Sequence, residues 1–186
     1  VASVPILPPG FLYLLRNSAI GPQLPGKRAF NLRFLNLESE RLIELTQQSI
    51  DSGQPVWFAA DISADADRQT GVLFPDLYDR DSIYDLRRLE RSKPLDRFDE
   101  FYFGITTPNH AMAITGYDKP RPDEPVTKFK VENSWGDKSG EKGIYHLYRE
   151  WFHEYVFEII VHKDLLRDDE RSMWRGRPEE ISAYEL

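Results

Sequence analysis

Lys130-Val131-Glu132-Asn133-Ser134-Trp135-Gly136-Asp137 is the stretch on which the reading of this chain turns, taken together with His110, which opens an apolar strand pattern 23 residues upstream of Asn133. Thr127 to Glu132 alternates Phe129 and Val131 against Lys128 and Lys130, the period of a strand with one buried face. Beyond it stand an amide able to orient an imidazole and an indole able to keep water off the pair, the accessories of a histidine that works as a base. The glycines that follow, Gly136, Gly140 and Gly143, let the chain turn tightly and feed the next strand.

Outward from that stretch the pattern is mostly strands. His110 to Thr115 is small and apolar and stops at Gly116. Thr127 to Glu132, Ile144 to Tyr148 and Val156 to Val161 follow, with one helical turn over Trp151 to Tyr155. Successive antiparallel strands predict a sheet closing into a barrel or half-barrel. Upstream, Asn36 to Gly53 carries the strongest helical signal: Leu42, Ile43, Leu45 and Ile50 form the stripe, Asn36 or Ser39 is the candidate cap, and Gly53 the stop. Val56 to Ala60 then reads as a buried strand closed by Asp61.

Residues 62 to 104 make a long surface excursion, with a short helix expected over Ser82 to Arg91. The oxygens of Asp61, Ser63, Asp65 and Asp67 alternate as in a calcium loop. Ala66 stands where such a loop needs Gly and Val72 where it needs Glu, so the expectation is a solvated acidic turn and no metal. Residues 1 to 35 are rich in proline and glycine and irregular, with Phe11 to Leu15 a short strand or a plug against another surface. Residues 36 to 166 form the folded unit, and 167 to 186 a charged tail with Met173, Trp174, Ile181 and Tyr184 as its anchors.

With 186 residues, 40% of them hydrophobic, the chain suits one soluble domain. No apolar run reaches the roughly 18 to 20 residues of a membrane span. The start at Val1 lacks a methionine and a basic region, a poor signal peptide that fits methionine removal or a cut precursor. A net charge of -7 argues against nucleic acid, whose binders present a basic face. There is no cysteine, hence no disulfide and no thiol of the chain's own, which accords with a reducing, cytoplasmic setting. His146, His153 and His162 show no ligand spacing, so neither a metal nor another cofactor is expected.

Asn109-His110-Ala111-Met112-Ala113-Ile114-Thr115-Gly116-Tyr117-Asp118 and Phe129 to Asp137 resemble the histidine and asparagine motifs of the papain-like cysteine peptidases, in the bleomycin hydrolase or aminopeptidase C branch. Lys130-Val131-Glu132 before Asn133 points to that branch, and further likeness runs through Gly53 to Phe58, Thr70 to Leu73, Asp76 to Asp79, and Glu150 to Phe152 with Glu154 to Val156.

The resemblance implies an α+β papain-like fold, mainly its antiparallel β-barrel half with one major helix. It implies that His110 is the general base, Asn133 its orienter and Trp135 the shield. The family's cysteine and oxyanion-hole glutamine have no counterpart here, Pro108 and Ala59-Ala60 depart from its usual residues, and the tail differs from the family's cleft-entering arm. The expectation is therefore half of a peptidase, completed by a Cys-bearing chain or segment, acting on peptides and forming an oligomer. The competing expectation is a non-catalytic module that binds peptides or builds an assembly.

Overall fold

The computed structural model describes residues 11–16, 34–63, 65–78, 100 and 103–177. The helix expected over Ser82 to Arg91 lies outside them, as do Ile181 and Tyr184.

The core of the fold is a nine-stranded sheet wrapped around one helix. The strands are β1 (Phe11–Arg16), β2 (Phe34–Leu37), β3 (Val56–Ala60), β4 (Ala66–Asp67), β5 (Val72–Leu73), β6 (His110–Asp118), β7 (Lys128–Glu132), β8 (Ile144–Tyr148) and β9 (Val156–His162), in the order β2-β1-β9-β3-β6-β7-β8-β5-β4. The α-helices that lie wholly within the described residues are α1 (Ser39–Asp51), α2 (Arg149–Tyr155) and α3 (Asp168–Arg175). The α+β class is as the sequence predicts. Two pairings, β1 with β2 and β5 with β8, are parallel, and both lie toward the ends of the sheet.

Alternation along the strands fixes one buried face. Val56 and Phe58 on β3, Met112 and Ile114 on β6, Phe129 and Val131 on β7, and Tyr145 and Leu147 on β8 are buried. Their registers put Phe58 opposite Met112 and Ile114 opposite Val131. α1 lays Leu42, Ile43 and Leu45 onto this face, and Trp151 and Phe152 of α2 close it beside Phe129. Removing one such aromatic to alanine costs about 3–5 kcal/mol, because the packed surroundings collapse only partly into the hole. Thr46 and Ser49 also lie on the buried side of α1. They return their hydroxyls to the carbonyls of Leu42 (2.8 Å) and Gln54 (3.0 Å), so neither hydroxyl is stranded.

Several local expectations change. Neither Asn36 nor Ser39 caps α1: Asn36 is drawn into β2 by pairing with β1, Glu38 occupies the cap position without a side-chain bond, and the Ser39 hydroxyl lies 2.9 Å from His153 Nδ1. Gly53 does end the helix, at a φ of +80°. β6 runs past Gly116 to Asp118, absorbing an irregularity between Ile114 and Gly116. The tail opens with a helix: of its expected anchors Trp174 packs against the core and Met173 is exposed, and buried Glu170 is a further anchor, a charged one.

Candidate active site

The parity of the core face carries outward to the site. Ala60 and His110 are paired at the ends of β3 and β6, two residues beyond buried Phe58 and Met112, so His110 stands where the core face meets the surface. Asn133 follows β7 by one residue and shares the parity of buried Val131. Two alternating strands thus deliver both side chains to the same rim.

There, His110 Nε2 lies 3.2 Å from Asn133 Oδ1. A carboxamide oxygen only accepts, so Nε2 carries a hydrogen, and in the neutral ring the lone pair is on Nδ1. Among the described residues nothing donates to Nδ1. The indole of Trp135 stacks on the imidazole, with ring centres 4.2 Å apart and planes 25° off parallel. Packing of this kind excludes water from one side of the His110–Asn133 bond and strengthens it. All three residues singled out in the sequence are therefore brought together. The amide nitrogen of Asn133 is buried and has no hydrogen-bond partner among the described residues.

Two surrounding layers were not legible in the sequence. The first holds Trp135. The Arg68 guanidinium sits 4.5 Å from the indole centre, and Tyr145 meets it edge-on at 6.3 Å while sharing a 2.6 Å hydroxyl contact with Ser139. The loops carrying these groups are laced by bonds from Gly140 N to Arg68 O (2.8 Å) and from His146 N to Gly71 O (2.7 Å). Close approach requires glycine at both: a Cβ on Gly71 or Gly140 would stand 2.6 or 2.5 Å from the Ile144 carbonyl oxygen.

The second layer lies behind His110 and corrects the expected solvated turn. Asp61 and Asp65 are buried, 2% and 5% exposed. Asp65 accepts from the Tyr155 hydroxyl (2.6 Å), and Asp61 from Ser63, Thr106, Thr107 and Asn109. Donors from distant parts of the chain replace the water that a carboxylate turn would otherwise need. Burial alone would push the Asp61 carboxyl up, but the hydrogen bonds from Ser63, Thr107 and Asn109 outweigh it and hold the group below the usual carboxylate range.

The other histidines each meet a carboxylate at separate places: His146 with Glu141 at 2.9 Å, His153 with Glu40 at 3.1 Å and His162 with Asp164 at 3.4 Å. Among the described residues, no helix is long and apolar enough to cross a membrane.

A profile of the family described as Peptidase C1-like matches residues 26–185. Aminopeptidase G of Lactobacillus delbrueckii subsp. lactis is 36% identical over 152 residues, covering 82% of this chain and 33% of the relative. Aminopeptidase C of the same organism is 41% identical over 138 residues, 74% of this chain and 29% of the relative. A crystal structure of PepW from Lactobacillus rhamnosis superposes with a TM-score of 0.70 at 26% identity, over 88% of this chain and 37% of that one. The chain spans about a third of the length of the curated relatives it matches.

Proposed function

Since the chain belongs to the Peptidase C1-like family, whose relatives named above are aminopeptidases, we propose that it is the base-bearing part of a papain-like cysteine peptidase that removes residues from peptides. The observation that carries this reading is the His110–Asn133 bond at 3.2 Å under a stacked Trp135. The 186 residues hold no cysteine, so the thiol comes from a Cys-bearing segment or partner chain, in an oligomeric assembly, and the chain alone is inactive.

In the assembled site His110 Nδ1 takes the proton of the thiol. The thiolate attacks the peptide carbonyl carbon, and the tetrahedral intermediate collapses as Nδ1–H passes its proton to the departing amine, leaving a thioester. Nδ1 then takes a proton from water, whose oxygen attacks the thioester, and returns it to the sulfur as the carboxylic acid departs. Asn133 holds the ring with Nδ1 outward throughout, and adds no charge that would trap the imidazolium. A reducing compartment such as the cytoplasm keeps that thiol available.

The test uses this chain together with its Cys-bearing segment and follows thiol-dependent hydrolysis of an aminoacyl anilide. His110→Ala abolishes turnover if the reading is right; unchanged turnover overturns it. The lack of a cysteine also favours a second reading, a non-catalytic peptide-binding or assembly module. It predicts no turnover with any thiol-bearing partner.

A further inference from the structure

We propose that Asp61 is a positioning residue of the histidine base, acting through Asn109; this rests on the assignment of His110 as that base. Asp61 directly follows β3, and its carboxylate is shared between two segments. Oδ1 accepts from the backbone and hydroxyl of its own turn at Ser63 and from Asn109 Nδ2 at 2.6 Å. Oδ2 accepts from the Thr106 hydroxyl at 3.0 Å and from Thr107 N at 3.1 Å. Three of the five donors thus belong to the chain that leads into His110.

Asn109 is gripped at both ends of its side-chain amide and at its backbone N–H. Its nitrogen side donates to Asp61, its oxygen accepts from Ile62 N at 3.0 Å, and its backbone N donates to Ala60 O at 3.1 Å. The next residue is His110, whose strand partner is the same Ala60. Asp61 N in turn donates to Tyr155 O at 3.0 Å, which ties the turn to the end of α2. Imidazole placement therefore begins from a backbone fixed one residue earlier at both main chain and side chain.

A carboxylate at 2% exposure is costly to desolvate. Satisfying its own turn needs only Ser63; the remaining acceptor capacity goes to the three donors of the 106–109 segment. Asp61 reaches that segment across 45 to 48 residues of sequence. Such a brace governs where the base sits when the thiol arrives, and a displacement of about 1 Å of a reacting group costs on the order of 100-fold in rate.

The experiment takes the peptidase assembled from this chain and its Cys-bearing segment, with Asp61→Asn and Asn109→Ala. Asn at 61 keeps the size but turns an N–H toward groups that themselves donate. Asn109 is exposed, so its truncation tests the brace in a folded protein should Asp61→Asn be poorly soluble. Expected is a fall in kcat of roughly 10- to 100-fold with KM within about twofold. The rate at which iodoacetamide alkylates the thiol at neutral pH should fall in parallel, since it depends on imidazole meeting sulfur.

Unchanged kcat in both variants overturns the inference, as does a loss residing in KM, which marks a general collapse of the cleft. If His110→Ala leaves turnover intact, the base assignment itself is wrong. If His110→Ala abolishes turnover while Asn109→Ala and Asp61→Asn do not slow it, only the role of Asp61 fails.

Discussion

Arg41 and Glu170, 129 residues apart, meet in a two-point ion pair: Nε to Oε1 at 2.6 Å and Nη2 to Oε2 at 2.9 Å. Both are buried, at 7% and 3% exposure. Glu44 joins the pair through Arg41 and Arg167, so α1 is bolted to the start of α3. Removing one partner of a buried pair strands a charge. Glu170→Ala is expected to destabilise the protein by about 3–5 kcal/mol, and Arg41→Met with Glu170→Leu by far less. Urea denaturation of the three proteins checks it; equal losses in single and double variants would show that packing, not charge, is at stake.

Two carboxylates should bend the pH dependence of stability in opposite senses. Burial opposes ionisation of Glu170, but the bonds from Arg41 and Arg167 N prevail and hold its pKa below the ordinary 4.5. Its contribution is complete above that value and is lost as acid protonates it. Burial pushes Glu158 up from 4.5 to about 7. There the folded state binds the proton more tightly, so stability is highest below about 4.5 and declines as pH rises toward 7. Glu158→Gln should stabilise the protein at pH 8 by on the order of 2 kcal/mol and much less at pH 5. Urea midpoints at the two pH values decide; a gain of the same size at both contradicts it.

Asn133→Ala leaves His110 without the acceptor at 3.2 Å that fixes its tautomer and orientation. In the assembled peptidase kcat should fall by roughly 100-fold, with a smaller change in KM. Steady-state kinetics measure this, and a variant of normal kcat would remove Asn133 from the mechanism.

Arg68 over the Trp135 ring is an exposed contact, worth about 0.5–1 kcal/mol. Arg68→Ala should therefore shift the melting temperature little. It should change the tryptophan emission, since the guanidinium leaves an indole that is 38% exposed. The change should vanish when Arg68→Ala is made in a Trp135→Phe background. A persistent change would assign it to another of the 4 tryptophans.

Gly140 and Gly53 both have positive φ, +68° and +80°, but only Gly140 is crowded: a Cβ there meets Ile144 O at 2.5 Å, while one at Gly53 meets nothing within 4 Å. Gly53→Ala should cost about 1 kcal/mol for the left-handed backbone alone. Gly140→Ala should cost more and also lower kcat, because it pries apart the loops under Trp135. Comparing melting and turnover of the two variants tests this; matching effects would refute the crowding.

The strands were legible because a half-buried strand writes its period into the sequence: Phe129 and Val131 against Lys128 and Lys130 is enough to place β7. His110 and Asn133 were legible through the motifs around them, Asn109 to Asp118 and Phe129 to Asp137, while the strand parity that carries both to one rim emerges only in the fold. Asp61 was not, since a carboxylate looks solvated until its donors from residues 106 to 109 arrive through the fold. Asn36 looks like a cap in the sequence because its pairing in β2 depends on β1, a contact no local pattern encodes. Glu170 hid within a charged tail for the same reason: its partner is 129 residues away.

The strand order also dictates when the sheet can be finished. β6, β7 and β8 are neighbours in sequence and pair as soon as they are made, but β9 is the strip between β3 and β1. Until His162 has been made, β1 and β3 each present a bare edge, and bare edges recruit other chains. Pairings such as Phe11 with His162 make the final closure slow relative to the β6–β8 meander. Nascent or truncated chains that stop before Val156 should therefore stick to one another, and β9, by covering the edges of both β1 and β3, acts as a safeguard against aggregation.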